Sequence, residues 1–357
     1  MKVAIVDPLS PFGHKDINKV FLNSLSDEYE VTYIASSLFS DIVPGRVRFI
    51  PIESSLFTIG PNSLDNRKRL YKALIIISKK VNGIKPDVLF FMSYETLTFS
   101  LLSRSFSKQG RRVFLMNHLN IDELESSSIK RLAFKSLPKS FIHIVYEDFI
   151  RDYVKKQYKR KCLTLQHNLN TYKIEVSCLD SKLKTFIESD KDSVLFVAPS
   201  GNFLNNITLD EIIKLDKNGY FKQKHFRVFI KNKGIQYASD HLLITNEYLS
   251  DGEYTSAFKK TDYIFLPYDL SYKYRASGVY FDALTFCKPI IYSNTLFFRD
   301  QVERFGEIGI SLKTTIQETL DGYCRTKYEQ HKANIEKARL YYSDDNYRNK
   351  IKNIIEV

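Results

Sequence analysis

The sequence predicts an α/β protein of two parallel-sheet domains, on three observations. Short apolar runs alternate with stretches of helical period in both halves, the pattern of βαβ units. A length of 357 residues exceeds the size at which a single core stops growing, and 43% hydrophobic content is ample for two. A polar interval over 171–192 separates the two series and reads as a hinge.

In the first series the runs 2–6, 29–34, 47–52, 88–91, 113–117 and 142–146 read as strands, with helices over 15–26, 64–82, 95–108, 124–136 and 147–157. The second series has strands over 194–198, 226–231, 243–245, 263–266 and 290–293. Beyond Ser311 the pattern is helical to the end, and no internal repeat or low-complexity tract interrupts it.

The segment 261–309 carries the most chemistry. Tyr263 to Leu266 is apolar throughout and is stopped by Pro267, which suits a strand buried on both faces. Ser277 is placed to cap the next helix, and Gly278 in its first turn leaves room for a ligand to reach the backbone. Unpaired N–H groups and the helix dipole favour an anion there, and Arg275 adds a charge able to fork onto phosphate oxygens. Asp282 shares its helix face with Val279 and Phe286, so its carboxylate is expected at a partly buried edge with a partner. The strand at Ile290 ends in Ser293-Asn294, and ligands of open α/β sheets bind outside such carboxyl ends.

At these residues the chain resembles the C-terminal half of a GT-B glycosyltransferase of family 4, in particular the bacterial polysaccharide-type transferases with an Arg-x-Ser-Gly turn. Asp262 to Pro267 matches the family's aspartate strand, Ser277-Gly278 its glycine turn, and Lys288-Pro289-Ile290-Ile291 its last strand. Asp282 stands where the family's ribose-binding acid is expected. The acid that contacts the transferred sugar is missing, and Tyr274 holds its place. The resemblance implies two Rossmann-like domains with parallel sheets facing across a cleft. It assigns 1–170 to the acceptor, 171–192 to the hinge and 193–335 to the nucleotide sugar, with 336–357 a helix crossing back to the first domain.

The other candidates follow from the same frame. The loop 7–14 lacks GxGxxG, so a dinucleotide-dependent oxidoreductase is not expected, and the resemblance turns Gly13 and His14 toward the acceptor. His118 follows the strand at 113–117 and is expected to contact the donor sugar. For an inverting reaction His118, Asp122 or Glu123 would serve as general base, whereas a retaining one needs none, and both stay open. Gln166-His167-Asn168 resembles the family's Pro-Asn-Gly turn. Pro199-Ser200-Gly201-Asn202 lacks the arginine often found in the family's phosphate loop, and Lys231 is positioned to replace it. Asn246-Glu247-Tyr248-Leu249 resembles the segment near the nucleobase. The one Asp-x-Asp, Asp190-Lys191-Asp192, falls in the hinge, so neither a metal nor another cofactor is expected.

The net charge of +12 is concentrated in the first half, at Arg67 to Lys80, Arg104 to Arg112 and Lys130 to Lys139. That distribution fits either a solvated helix face or a peripheral contact with anionic lipid headgroups. No RNP-like, KH or helix-turn-helix pattern supports a nucleic-acid partner. No apolar run approaches the ~18 residues that span a bilayer. Met1-Lys2 leads straight into a strand, so a cytoplasmic protein, at most on the inner face of the membrane, is expected. Cysteines at 162, 178, 287 and 324 have neither zinc nor disulfide-framework spacing and are expected to be reduced. The expected activity is metal-independent transfer of a sugar from a nucleotide donor to a glycan or lipid-linked glycan in surface polysaccharide synthesis. The alternatives are a degenerate GT-B protein that binds without turnover and a sugar-nucleotide epimerase.

Overall fold

The computed structural model describes residues 1–9, 15–57, 63–107, 110–169, 182–190, 192–199 and 204–356. They form two units: Met1–Asn168 with Tyr274–Ala276 and Asp344–Val357, and Leu169–Lys273 with Ser277–Ser343.

The first unit begins with β1 (Lys2–Asp7), α1 (Lys15–Ser26), β2 (Glu30–Ser36) and β3 (Arg48–Ile52). It continues through α2 (Leu64–Ile84), β4 (Val88–Phe91), α3 (Thr96–Phe106), β5 (Arg112–Met116), α4 (Asn120–Ser126) and α5 (Ser128–Ser136). It then runs to β6 (Ile142–Val145), α6 (Asp148–Tyr158) and β7 (Lys161–Thr164). The second unit holds α7 (Lys182–Glu188), β8 (Val194–Ala198), α8 (Asn206–Lys217), α9 (Tyr220–Lys224), β9 (Phe226–Lys231), β10 (Tyr237–Ala238) and β11 (Leu242–Thr245). There follow α10 (Asp251–Lys260), β12 (Tyr263–Leu266), α11 (Gly278–Thr285), β13 (Ile290–Tyr292), α12 (Leu296–Phe305), β14 (Gly309–Ser311), α13 (Ile316–Asp321) and α14 (Arg325–Tyr341). The last helix, α15 (Asp344–Glu356), belongs to the first unit.

The first sheet has the order β3-β2-β1-β4-β5-β6-β7, every pairing parallel. Parallel strands in mid-sheet are covered on both faces, which is why β4 reads as Val-Leu-Phe-Phe with all four residues buried. Leu70, Leu74 and Ile77 of α2, Phe99 of α3 and Phe134 of α5 fill one side. Phe21, Leu22 and Leu25 of α1 fill the other, joined there by Tyr347, Ile351 and Ile355 of α15. The expected helix over 124–136 is two helices. Ser127 sits at φ −132°, ψ 108° between α4 and α5, and its hydroxyl accepts from the Lys130 N–H at 3.3 Å. Serine side chains offer the backbone such alternatives to continued helix, and three of them stand in a row here.

The second sheet has the order β10-β11-β9-β8-β12-β13-β14, parallel except for the antiparallel pair β10–β11. Two of its strands had no counterpart in the sequence reading. β10 is only two residues long, and β14 depends on Gly309, where an added Cβ would lie 1.7 Å from the Ile290 carbonyl oxygen across the β13 pairing. The assigned boundaries also shift. The expected hinge over 171–192 contains α7, and 170–181 lies outside the described residues. Of the segment 336–357, residues up to Ser343 stay with the second unit, where α14 buries Ile335 and Ala338.

Candidate functional site

In an open α/β sheet the crevice for a ligand opens where the strand order reverses, at the carboxyl ends of the strands. In the second unit that point lies between β8 and β12, and α11 starts from the loop that follows β12. Ser277 caps α11: its Oγ accepts from the Tyr280 N–H at 3.1 Å and is 2.6 Å from the Tyr268 hydroxyl. Gly278 is exposed, and a Cβ built on it meets nothing within 4 Å, so the first turn has open space in front of its amides.

Lys231 ends β9 on the other side of β8. The registers Ile264↔Val197 and Ala198↔Ile230 bring Leu266 and Lys231 to the same level of the sheet, two strand spacings or about 10 Å apart. The Lys231 ammonium stands 5.3 Å from the ring centroid of Tyr248, which is 84% exposed. Thr245 pairs with Lys231 across the sheet, and the Asn232 N–H donates to the Thr245 carbonyl at 2.8 Å. Beside them a cavity of about 490 Å³ is lined by Gln236, Tyr237, Thr245, Glu247, Tyr248 and Glu253, among others. Tyr248 was not singled out as a binding residue. Its signal was an aromatic residue in the loop after a buried strand, within the segment assigned to the nucleobase.

Asp282 has the partner expected of a carboxylate in that position. It is 6% exposed inside α11, and its Oδ2 accepts from the Tyr254 hydroxyl of α10 at 2.8 Å. Burial, and then the Asp282 charge, hold the Tyr254 hydroxyl well above its ordinary pKa, so it remains a proton donor to that carboxylate. The pair ties α11 to α10.

In the first unit the strand order reverses between β1 and β4. Asp7 at the end of β1 is fully buried, accepting from Asn18 Nδ2 at 2.7 Å and from the Ser93 hydroxyl just beyond β4. His118 follows β5. Its Nε2 lies 2.7 Å from the Met92 carbonyl oxygen and its Nδ1 lies 3.1 Å from the Tyr146 hydroxyl. A carbonyl only accepts, so Nε2 carries a proton and donates it to Met92, while Nδ1 is paired with the Tyr146 hydroxyl. Burial, with Asp7 next, raises the pKa of Tyr146 and keeps its hydroxyl protonated. The expected base therefore has both ring nitrogens engaged.

Tyr274–Ala276, in the loop between β12 and α11, groups with the first unit. Arg275 Nε lies 2.5 Å from Asp122 Oδ2, and Asp122 Oδ1 accepts from the Tyr274 N–H at 2.6 Å. The Tyr274 ring stacks on Tyr153 with centroids 3.9 Å apart. Asp122, one of three candidate bases for an inverting reaction, holds Arg275, the residue expected to face a diphosphate. Gln166, His167 and Asn168 are buried, the His167 ring 5.0 Å from that of Tyr146. Asp190 caps its own turn, accepting from the Asp192 N–H at 3.0 Å and from the Ser193 hydroxyl. Gly13, His14 and 200–203 lie outside the described residues. Among the described residues no three His, Cys, Asp or Glu side chains gather as a metal site, no helix is long and apolar enough to cross a membrane, and Cys162, Cys287 and Cys324 are free thiols.

No protein-family model and no curated protein matches the sequence. Solved structures do. The sucrose-phosphate synthase of Thermosynechococcus elongatus is 9% identical with a TM-score of 0.66, over 100% of this chain and 98% of its own. The alpha,alpha-trehalose-phosphate synthase (UDP-forming) of Burkholderia xenovorans, in complex with glucose-6-phosphate, is 9% identical with a TM-score of 0.68, over 100% of both chains. Anabaena HepE in complex with UDP is 11% identical with a TM-score of 0.65, over 100% of both chains. Identities this low speak to the fold, and the fold of this chain is the two-sheet α/β architecture of the GT-B glycosyltransferases.

Proposed function

We propose that the protein is a glycosyltransferase that moves a hexosyl group from a nucleoside diphosphate donor to a glycan or lipid-linked glycan, in the manner of the family 4 polysaccharide-type enzymes it resembles. The observation that carries this reading is the second unit's strand-order reversal, flanked by a capped helix with open amides at Gly278 and by Lys231 at the same level of the sheet. The full-length likeness to a protein in complex with UDP supports it.

In this reading the α11 amides and Lys231 neutralise the diphosphate without a metal, as preorganised dipoles and charge at the leaving group. Tyr248 and the cavity beside it take the base. Asp282 acts through Tyr254, holding α11 in place. The acceptor is bound by the first unit, whose basic surface suits an anionic or membrane-borne substrate.

A second reading, binding without turnover, is favoured by the engagement of Asp122 with Arg275 and of both His118 nitrogens. Thermal shift against UDP-, GDP-, ADP- and CMP-sugars tests the first step, since a ligand at a hundredfold over its Kd stabilises by ~2.7 kcal/mol. Lys231→Ala should weaken the nucleotide that binds by roughly tenfold to a hundredfold, the worth of one hydrogen bond to a charged group. Absence of any shift would overturn the donor site itself. Nucleotide release without acceptor glycosylation, or no release at all, separates binding from transfer.

A further inference from the structure

We propose that an outer groove of the first unit, formed by α2, α3 and α5, docks the protein on the headgroup boundary of an anionic lipid bilayer. The inference deepens the membrane-borne acceptor suggested above and rests on that reading, but its test involves no sugar transfer.

These helices carry two apolar stripes each. One is used by the core, through Leu70, Leu74 and Ile77 of α2 and Phe134 of α5. The other is left outside. Leu64, Leu101, Ile129 and Leu132 are each between 69% and 75% exposed, and all four line one groove of about 910 Å³. Ile129 and Leu132 share one face of α5, Leu97 and Leu101 one face of α3, and Leu64, Lys68 and Tyr71 one face of α2, at spacings of three and four residues. Monomeric proteins rarely expose large apolar side chains in one contiguous patch, and such patches mark contact surfaces.

The charge around the groove selects the partner. The three helices contain ten basic residues, six on α2, one on α3 and three on α5, against the single acid Asp65. Arg67, Lys68 and Lys72 line the groove itself. Lys130 is paired with Glu123 at 2.9 Å, Arg131 donates to the Leu124 and Glu125 carbonyls, and Lys68 lies 3.8 Å from Asp65 in an exposed pair that water screens, so the attraction rests mainly on α2, Arg104 and Lys135. An apolar centre with a basic border matches acyl chains beneath anionic headgroups, and Lys and Arg stems extend from one to the other. It does not match a second copy of the same face, because two such borders repel.

The chain contains no tryptophan. Leu101→Trp in the full-length protein therefore gives a single reporter on the groove. With vesicles of phosphatidylglycerol and phosphatidylcholine at low salt, its emission should shift to the blue and be quenched by lipids brominated along the acyl chain. Pure phosphatidylcholine vesicles, or high salt, should abolish the response as the charges are screened. Co-sedimentation of Ile129→Ser/Leu132→Ser should fall by roughly a hundredfold, the worth of burying two such side chains, with donor binding unchanged. If that variant does not fold, Lys68→Glu/Lys72→Glu carries the test, and it should lose the anionic vesicles. Sedimentation without acyl-chain quenching would overturn the proposal, as would vesicle binding equal to the parent's in these variants. Concentration-dependent self-association relieved by them would do so too, assigning the groove to a second copy.

Discussion

His143 is a histidine the fold cannot charge. It lies fully buried in β6 with its ring 4.6 Å from Phe134, and burial, then Arg160, push its pKa down from 6.5 to about 3. The unfolded chain takes up a proton below pH 6.5 that the folded chain refuses until about pH 3. Stability contributed by this group is therefore present at neutral pH and lost as pH falls through that window, by up to ~1.4 kcal/mol per pH unit. Urea midpoints measured from pH 7 to 4.5 should fall in the parent and flatten in His143→Gln; equal slopes would show that other groups govern the acid limb. Single residues were also where the sequence was least informative about the site. Arg275 and Ser277 are two positions apart, and each was matched to the same anion pocket. Only the path of the chain gave Arg275 to Asp122, more than 150 positions earlier in the sequence, and left Ser277 at the helix end.

At the scale of the element, α11 was legible down to its cap. An N-cap is a contact between a side chain and an amide three residues on, so Ser277 and Tyr280 suffice to specify it. Ser277→Ala should cost about 1 kcal/mol for the lost cap. It also removes one contact of the Tyr268 hydroxyl, so Ser277→Thr should recover much of the loss in chemical denaturation. Equal losses in the two variants would mean that packing at this buried site, and not the hydroxyl, is what matters. The strands were legible for a related reason, since burial on both faces makes a parallel strand apolar throughout. β10 and β14 escaped because pairing with a neighbour defines them more than their own composition does: β14 exists where Gly309 lets the chain approach Ile290.

At the scale of the whole molecule, the first unit is assembled from sequence-distant pieces. Tyr347, Ile351, Ile354 and Ile355 of α15 are buried in the same core as α1 and β1. Four such side chains are worth roughly 6–12 kcal/mol at most, by area removed from water. That rivals the entire stability of an ordinary domain, about 5–15 kcal/mol. Ending the chain at Ser343 should therefore unfold the first unit while the second keeps its hydrogen-exchange protection. Retention of protection in β1 and β4 would show that α15 is dispensable.

The sequence by itself determined the fold class, most of the strands, the α11 cap and the basic character of the first half, because each follows from local periodicity, from contacts a few residues long or from composition. Tertiary structure alone decided which polar groups are spent on one another. Asp282 went to Tyr254, Asp122 to Arg275 and both nitrogens of His118 to Met92 and Tyr146. Burying a polar group without a partner is costly, so each found one, and its identity depends on which elements the fold brings together.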